Sequence, residues 1–167
     1  MGIDLSSIAI DMAKKNNSTD IEFTTDSIFS ITKTYDLVIL SHILEHIDGW
    51  VDFIEKIKEC ADRYIYINVP LEANLMNVIR GRALLGTYQK YGHLHFFDEA
   101  FLLQYLEDSG LTVVAKDYGE EFKCGKKNIS TLAIRYMRIA AGLFSKRLCA
   151  RYLGGYSLCL LLKKNNS

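Results

Sequence analysis

The chain has 167 residues, with 20 Lys and Arg against 20 Asp and Glu, so its formal net charge is zero. Hydrophobic residues make up 49%, charged residues 24%, and proline occurs once, which excludes a disordered, collagen-like or low-complexity chain. One domain is expected at this length, spanning residues 1–167, and no stretch approaches the roughly 18 apolar residues of a membrane-spanning helix.

Charge is unevenly spread. Residues 1–121 carry ten bases against twenty acids, and residues 122–167 carry ten bases and no acid. Such polarity means either an internal neutralising contact or a surface for an anionic partner. The four cysteines, at positions 60, 124, 149 and 159, form no CxxC pair, so neither a zinc ribbon nor a disulfide framework is expected. The start, MGIDLSSIAIDMAKK, has early acids and no apolar core, and reads as no signal peptide. A reducing, cytoplasmic setting is the expectation.

Taken in chain order, Gly2–Leu5 is a short apolar stub that includes an acid. Ser6 or Ser7 can cap a helix over IAIDMAKKN, where Ile8, Met12 and Ala13 fit helical spacing. Ile21–Thr25 alternates like a strand and ends at Asp26. The run YDLVIL from Tyr35 has the length and composition of a strand buried on both faces. A helix is expected over Trp50–Cys60, with Val51, Ile54 and Ile57 on one stripe. YIYINV, closed by Pro70, is a further buried strand. Asp98 can cap the helix FLLQYLEDS, and Gly110 can end it. Thr112–Ala115 gives another strand. A basic amphipathic helix is expected over about 130–152, inside an inserted segment 122–155, and YSLCLLLKK reads as the last strand. Strands alternating with helices predict an α/β fold with a mostly parallel sheet.

In such a sheet, ligands bind at the carboxyl ends of strands. Asp4, Asp26-Ser27 and Ser41-His42 stand at three expected strand ends. A carboxylate there can accept both hydrogen bonds of a ribose diol. Gly2-Ile3-Asp4-Leu5-Ser6, then Asp26, then Tyr35-Asp36-Leu37-Val38-Ile39 running into Leu44-Glu45-His46, resembles a class I S-adenosylmethionine-dependent methyltransferase. Gly92-His93-Leu94-His95-Phe96-Phe97, Phe101-Leu102 and Ser109-Gly110-Leu111 resemble the segment after that family's fifth strand. The likeness covers residues 1 to about 118. It implies a Rossmann-like sheet with helices on both faces and S-adenosylmethionine as cofactor. Asp4 would hold the ribose hydroxyls, with Leu5 beside the adenine; Asp26 would bind the adenine amino group, with Ser27 next to it. Ser41 and His42 would face the methionine part or the substrate. The acceptor implied is a small or lipid-linked molecule.

One departure accompanies the match. The family's first strand ends in a glycine-rich loop, and this sequence contains no G-x-G pair. The family strand order is 3-2-1-4-5-7-6, so the first strand belongs at the centre of the sheet. The chain therefore reads as the part of a methyltransferase that begins at the second strand: either an enzyme whose full-length form supplies the loop, or a non-catalytic remnant or regulatory partner.

Methyl transfer demands alignment and exclusion of water, and an oxygen or nitrogen acceptor can need a base. His42, His46 and His93 are the candidates. A metal pair of His93 and His95 lacks a third ligand in the sequence, so no metal is expected. His42-Ile43-Leu44-Glu45-His46 also matches the H-x-x-E-H signature of inverted zinc peptidases, with Glu72, Glu99 or Glu107 as possible third ligands. Arg135, Arg138 and Lys146 fall on one side of the basic helix, either as a solvated face or as a contact for an anionic membrane surface. Too few aromatics interleave with these bases to argue for nucleic acid.

Overall fold

The computed structural model describes residues 1–17, 20–123 and 129–165. Cys124, Lys126 and Lys127, counted above, lie outside them.

Two sheets are present. Strands β1 (Gly2–Ile3) and β2 (Phe23–Thr24) form a small parallel pair, with Ile3 opposite Thr24. Helix α1 (Ser7–Asn16) joins them, and Ser6 caps it by accepting the Ala9 N–H. The larger sheet contains β3 (Tyr35–Ser41), β4 (Ala61–Pro70), β5 (Leu111–Gly119) and β6 (Ser157–Lys164), in the order β3-β4-β6-β5. Strand β3 is parallel to β4, while β6 runs antiparallel to both β4 and β5. Three of the four strands thus point one way, as a mostly parallel sheet requires.

Side-chain alternation divides this sheet into two unequal faces. Val38 and Leu40 stand opposite Ile65 and Ile67, and Ile65, Ile67 and Val69 stand opposite Leu162, Leu160 and Leu158. Helix α2 (Trp50–Cys60) lays Phe53, Ile54 and Ile57 on this core, and α5 (Glu99–Asp108) adds Leu102 and Leu106. The stripe of α2 includes Trp50 but not Val51, which is exposed. Trp50 instead anchors an aromatic group with Phe97, Phe101 and Tyr105. On the opposite face, Leu37 and Ile39 remain 44% and 60% exposed, and Tyr64, Tyr66, Asn68, Cys159 and Leu161 are half-buried. The expectation that YDLVIL is buried on both faces therefore fails. Strand β3 pairs only with β4 among the described residues, so its second edge and second face lack the neighbour that burial needs.

Chain punctuation follows the sequence closely at α5. Asp98 accepts from the Ala100 and Phe101 N–H groups, and Gly110 leaves the helix at φ 82°. Two helices were not foreseen: α3 (Leu75–Ile79), capped by Asn74, and α4 (Ala83–Tyr91), ended by Gly92 at φ 73°. The single basic helix expected over 130–152 is two, α6 (Ile129–Phe144) and α7 (Lys146–Leu153). Ser145 accepts the Leu148 N–H and so starts a new helix where one was expected to continue.

The basic segment folds back on acids of the earlier half. Lys146 lies near Asp117 and Glu120, and Arg147 lies 3.4 Å from Glu99. Arg138 is not on a solvated face: its Nε and Nη2 donate to the Leu153 carbonyl, and Phe122 lies beneath its guanidinium. Burial lowers its pKa below the usual arginine value.

Glu99 ties three elements together. It accepts from Lys116 Nζ at 2.7 Å and from the Tyr118 hydroxyl at 2.8 Å, both on β5, and faces Arg147 on α7. Burial alone would push this carboxyl up, but the donors outweigh it and hold the group below the ordinary carboxylate range. A depressed carboxyl stabilises the fold above its unfolded pKa, and that contribution is lost as the pH falls through the folded value. Thermal melts are expected to drop on acidification below about pH 4, the unfolded glutamate range. The drop should be smaller in Glu99→Gln.

Candidate functional site

The carboxyl ends of β1 and β2 lie side by side, since Ile3 pairs with Thr24. Asp4 therefore follows directly from one strand and Asp26 sits two residues beyond the paired position of the other. Both carboxylates are exposed. Asp4 Oδ1 accepts the Ser6 N–H at 2.7 Å, and Asp26 Oδ2 accepts the Thr24 hydroxyl at 2.7 Å, so local bonds fix their orientation. Leu5 is exposed beside Asp4, an apolar surface at a strand end. Ser27 caps a short 3₁₀ turn, Ile28–Ser30, by accepting the Phe29 N–H. That turn anchors the small sheet to the larger one: Ile28 packs on the core, and the Phe29 ring meets Phe53 edge-on at 6.5 Å.

The third strand end carries Ser41 and His42, with Asn68 opposite Ser41 on β4. His42 is the one described non-glycine residue with positive φ, at 54°. This left-handed backbone is uncommon outside glycine, although histidine is among the residues enriched there, and such strain gathers at functional sites. The His42 N–H donates to the Asn68 carbonyl, and its ring meets three polar groups. Glu45 Oε1 is 3.2 Å from Nδ1, the Asn68 amide nitrogen is 3.3 Å from Nε2, and Glu121 Oε1 lies 3.0 Å from Nε2 without hydrogen-bond geometry.

His46 and His93 also come together, their rings edge-to-face with centroids 4.8 Å apart. His46 Nδ1 donates to the Gly92 carbonyl, and His93 Nδ1 is 2.7 Å from Glu72 Oε2. Burial pushes the Glu72 carboxyl up, an effect that His93 opposes and the Glu45 and Glu121 charges reinforce. The other pairings weighed from sequence do not form. His95 turns away from His93: its Nε2 bonds the Asp48 carbonyl and its ring lies against Trp50. Nor is there the helix that H-x-x-E-H needs, because Leu44–His46 is a single 3₁₀ turn and His42 lies outside it. Glu99 belongs to the β5–α7 network instead.

The sequence pointed to His42, His46 and His93, and to Glu45 and Glu72 only as parts of a zinc-peptidase pattern; their partners Asn68 and Glu121 were missed. Asn68, next but one before the strand-closing Pro70, carried a positional signal. Glu121 carried none beyond its charge. The open sheet face adds Tyr66, whose phenol is pushed up to about 12 by its hydrogen bond with Cys159 and by burial. A cavity of about 60 Å³ between Asn74, Glu99 and Arg147 is too small for an adenosyl cofactor and lies away from these strand ends.

Parallel strands that end in these polar groups fit a Rossmann-like fold, in which ligands bind at the carboxyl ends of strands. A family model for the methyltransferase domain matches residues 1–116, and the chain belongs to that family. The family uses S-adenosylmethionine. No curated protein matches the sequence significantly. Magnesium protoporphyrin IX methyltransferase from Synechocystis, solved with bound S-adenosylhomocysteine, is similar at a TM-score of 0.60 and 16% identity, over 98% of this chain and 63% of that one. An S-adenosylmethionine-dependent methyltransferase from Archaeoglobus fulgidus gives 0.60 and 20%, over 98% and 75%. The cyclopropane synthase MmaA2 from Mycobacterium tuberculosis gives 0.67 and 11%, over 98% and 69%. At these identities the likeness shows the fold. The chain spans 58 to 63% of the length of the Synechocystis enzyme chains.

Proposed function

We propose that this chain carries the cofactor and acceptor site of S-adenosylmethionine-dependent methyl transfer to a small-molecule or lipid-like acceptor. The reading rests on Asp4 and Asp26 standing together at the carboxyl ends of adjacent parallel strands, within a chain of this family. Asp4 would hold the ribose hydroxyls with Leu5 against the adenine, and Asp26 with Ser27 would take the adenine amino group. Ser41 and His42 would face the methionine part. The bound cofactor supplies a methyl group already activated on a sulfonium, which leaves the protein to align the acceptor and exclude water.

The split sheet fits the same reading. In family order, β2-β1 corresponds to strands 3-2 and β3-β4-β6-β5 to strands 4-5-7-6. In that order the family's first strand falls between β1 and β3, which do not pair with each other among the described residues. An open edge reading YDLVIL is a template for a further strand.

Exposed apolar side chains support a lipid-like acceptor: Leu75, Val78 and Ile79 on α3, and Leu143 and Phe144 at the end of α6, the last two 84% and 92% exposed. That end of α6 is also where we place contact with an anionic membrane surface. Flotation with anionic vesicles should carry the chain upward, and Phe144→Ser should reduce the bound fraction.

Calorimetric titration with S-adenosylhomocysteine tests the central reading. Saturable binding by the folded chain is the expected result. A folded chain that takes up none belongs to the second reading, a non-catalytic remnant or regulatory partner.

A further inference from the structure

Glu45 is buried completely, at 0% exposure, yet its Oε2 has no hydrogen-bond partner and no lysine or arginine pairs with it among the described residues. Burying a carboxylate in that condition is costly, because the lost hydration is replaced on one oxygen only, by His42. The backbone does not account for it: the Leu94 and His95 N–H groups reach the main-chain carbonyl of Glu45, not its side chain. What faces the carboxylate is a pair of imidazoles. One ligand atom each from Glu45, His46 and His93 lie within 4.8 Å of one another.

The remaining atoms of these three groups are already engaged. A carbonyl oxygen only accepts, so His46 Nδ1 carries its proton toward Gly92 and Nε2 keeps a lone pair. Glu72 does the same for His93, whose Nδ1 is 2.7 Å from its carboxylate. Carboxylate–histidine and carbonyl–histidine bonds of this kind fix the tautomer and raise the basicity of a metal-binding imidazole. Glu45 in turn has one oxygen on His42 and the other unpartnered.

We propose that Glu45, His46 and His93 bind a divalent first-row transition metal ion, with Glu72 and the Gly92 carbonyl as positioning groups behind the two imidazoles. Two imidazole nitrogens and one carboxylate oxygen suit zinc, manganese, iron or cobalt. Tetrahedral bonds of about 2.0–2.2 Å put the ligand atoms of one ion about 3.3–3.6 Å apart, so side-chain shifts of up to about an ångström close the site. Three protein ligands leave positions open. The 3₁₀ turn that follows Ser41 and His42 holds two of the ligands, so an ion there stands beside the proposed reaction centre. Resting on the methyl-transfer reading, the open positions fit an acceptor with a carboxylate oxygen, already ionised, or with a hydroxyl, whose proton the metal would help release to solvent.

The test is a titration of the chelator-treated full chain with Mn²⁺ alone, followed by the loss of the free-ion electron paramagnetic resonance signal, and with Zn²⁺ alone by calorimetry. The expected result is one saturable site per chain. Affinity should fall at least 10-fold in Glu45→Gln and His93→Gln, and about 10- to 100-fold in Glu72→Gln, which alters only a positioning group. Circular dichroism identifies any variant that fails to fold, and Glu72→Gln and His93→Gln decide the matter if Glu45→Gln does. Failure of the folded wild type to bind either ion overturns the site, as does binding that His93→Gln leaves unchanged. Titrating S-adenosylhomocysteine into the metal-free chain separates the two proposals: cofactor binding without metal binding rejects the metal site alone.

Discussion

Ile67→Ala is expected to cost about 2–5 kcal/mol of stability, the range for removing a buried aliphatic side chain whose surroundings relax only in part. Ile67 is 0% exposed at the centre of the larger sheet, between Leu40 on β3 and Leu160 on β6. Domains hold roughly 5–15 kcal/mol in total, so this single change removes a large fraction. At about 2–4 °C per kcal/mol for a chain of this size, the melting temperature falls clearly. Ile39 is the matched control: it has the same chemistry one strand over, on the open face at 60% exposure. Ile39→Ala should stay within about 0.5 kcal/mol, as exposed substitutions do. Equal losses at the two sites, read from urea midpoints, would mean that the open face is covered after all.

Asp4→Ala is expected to weaken S-adenosylhomocysteine binding by about 1–3 kcal/mol, or roughly 5- to 150-fold, because the ribose hydroxyls lose a charged acceptor. The fold should tolerate the change, since Asp4 is exposed and the only described partner of its carboxylate is the nearby Ser6 N–H. Calorimetry with unchanged circular dichroism reads this directly. Equal affinity in mutant and wild type would remove Asp4 from the site.

Much of the fold was legible because its signals are local. Ser6 and Asp98 announce helix starts, Gly110 ends a helix, and YDLVIL and YIYINV have the length and composition of strands. The placing of Asp4 and Asp26 at neighbouring strand ends was legible for the same reason, each acid lying next to its own strand. Helices α3 and α4 were not, because Leu75, Val78, Ile79, Leu85 and Tyr88 are exposed and give no buried stripe to anticipate. The break at Ser145 was hidden by apolar residues that continue on both sides of it. The burial of β3 was misread because a run of apolar residues records what a strand is suited to, not which neighbours it has. Glu45, Glu72 and His93 were the hardest to connect. They lie in three separate segments, and only the loop returning over the ends of β3 and β4 brings them together.

The most direct measurement is a ¹H–¹⁵N correlation titration of the ¹⁵N-labelled chain with S-adenosylhomocysteine. The expected result is that amides at Asp4–Ser6, Asp26–Ser27 and Ser41–His42 shift together along one saturation curve, since one ligand would bridge three strand ends. Shifts confined to other residues, or a folded chain whose spectrum does not change, would contradict the assignment of these ends to a cofactor site.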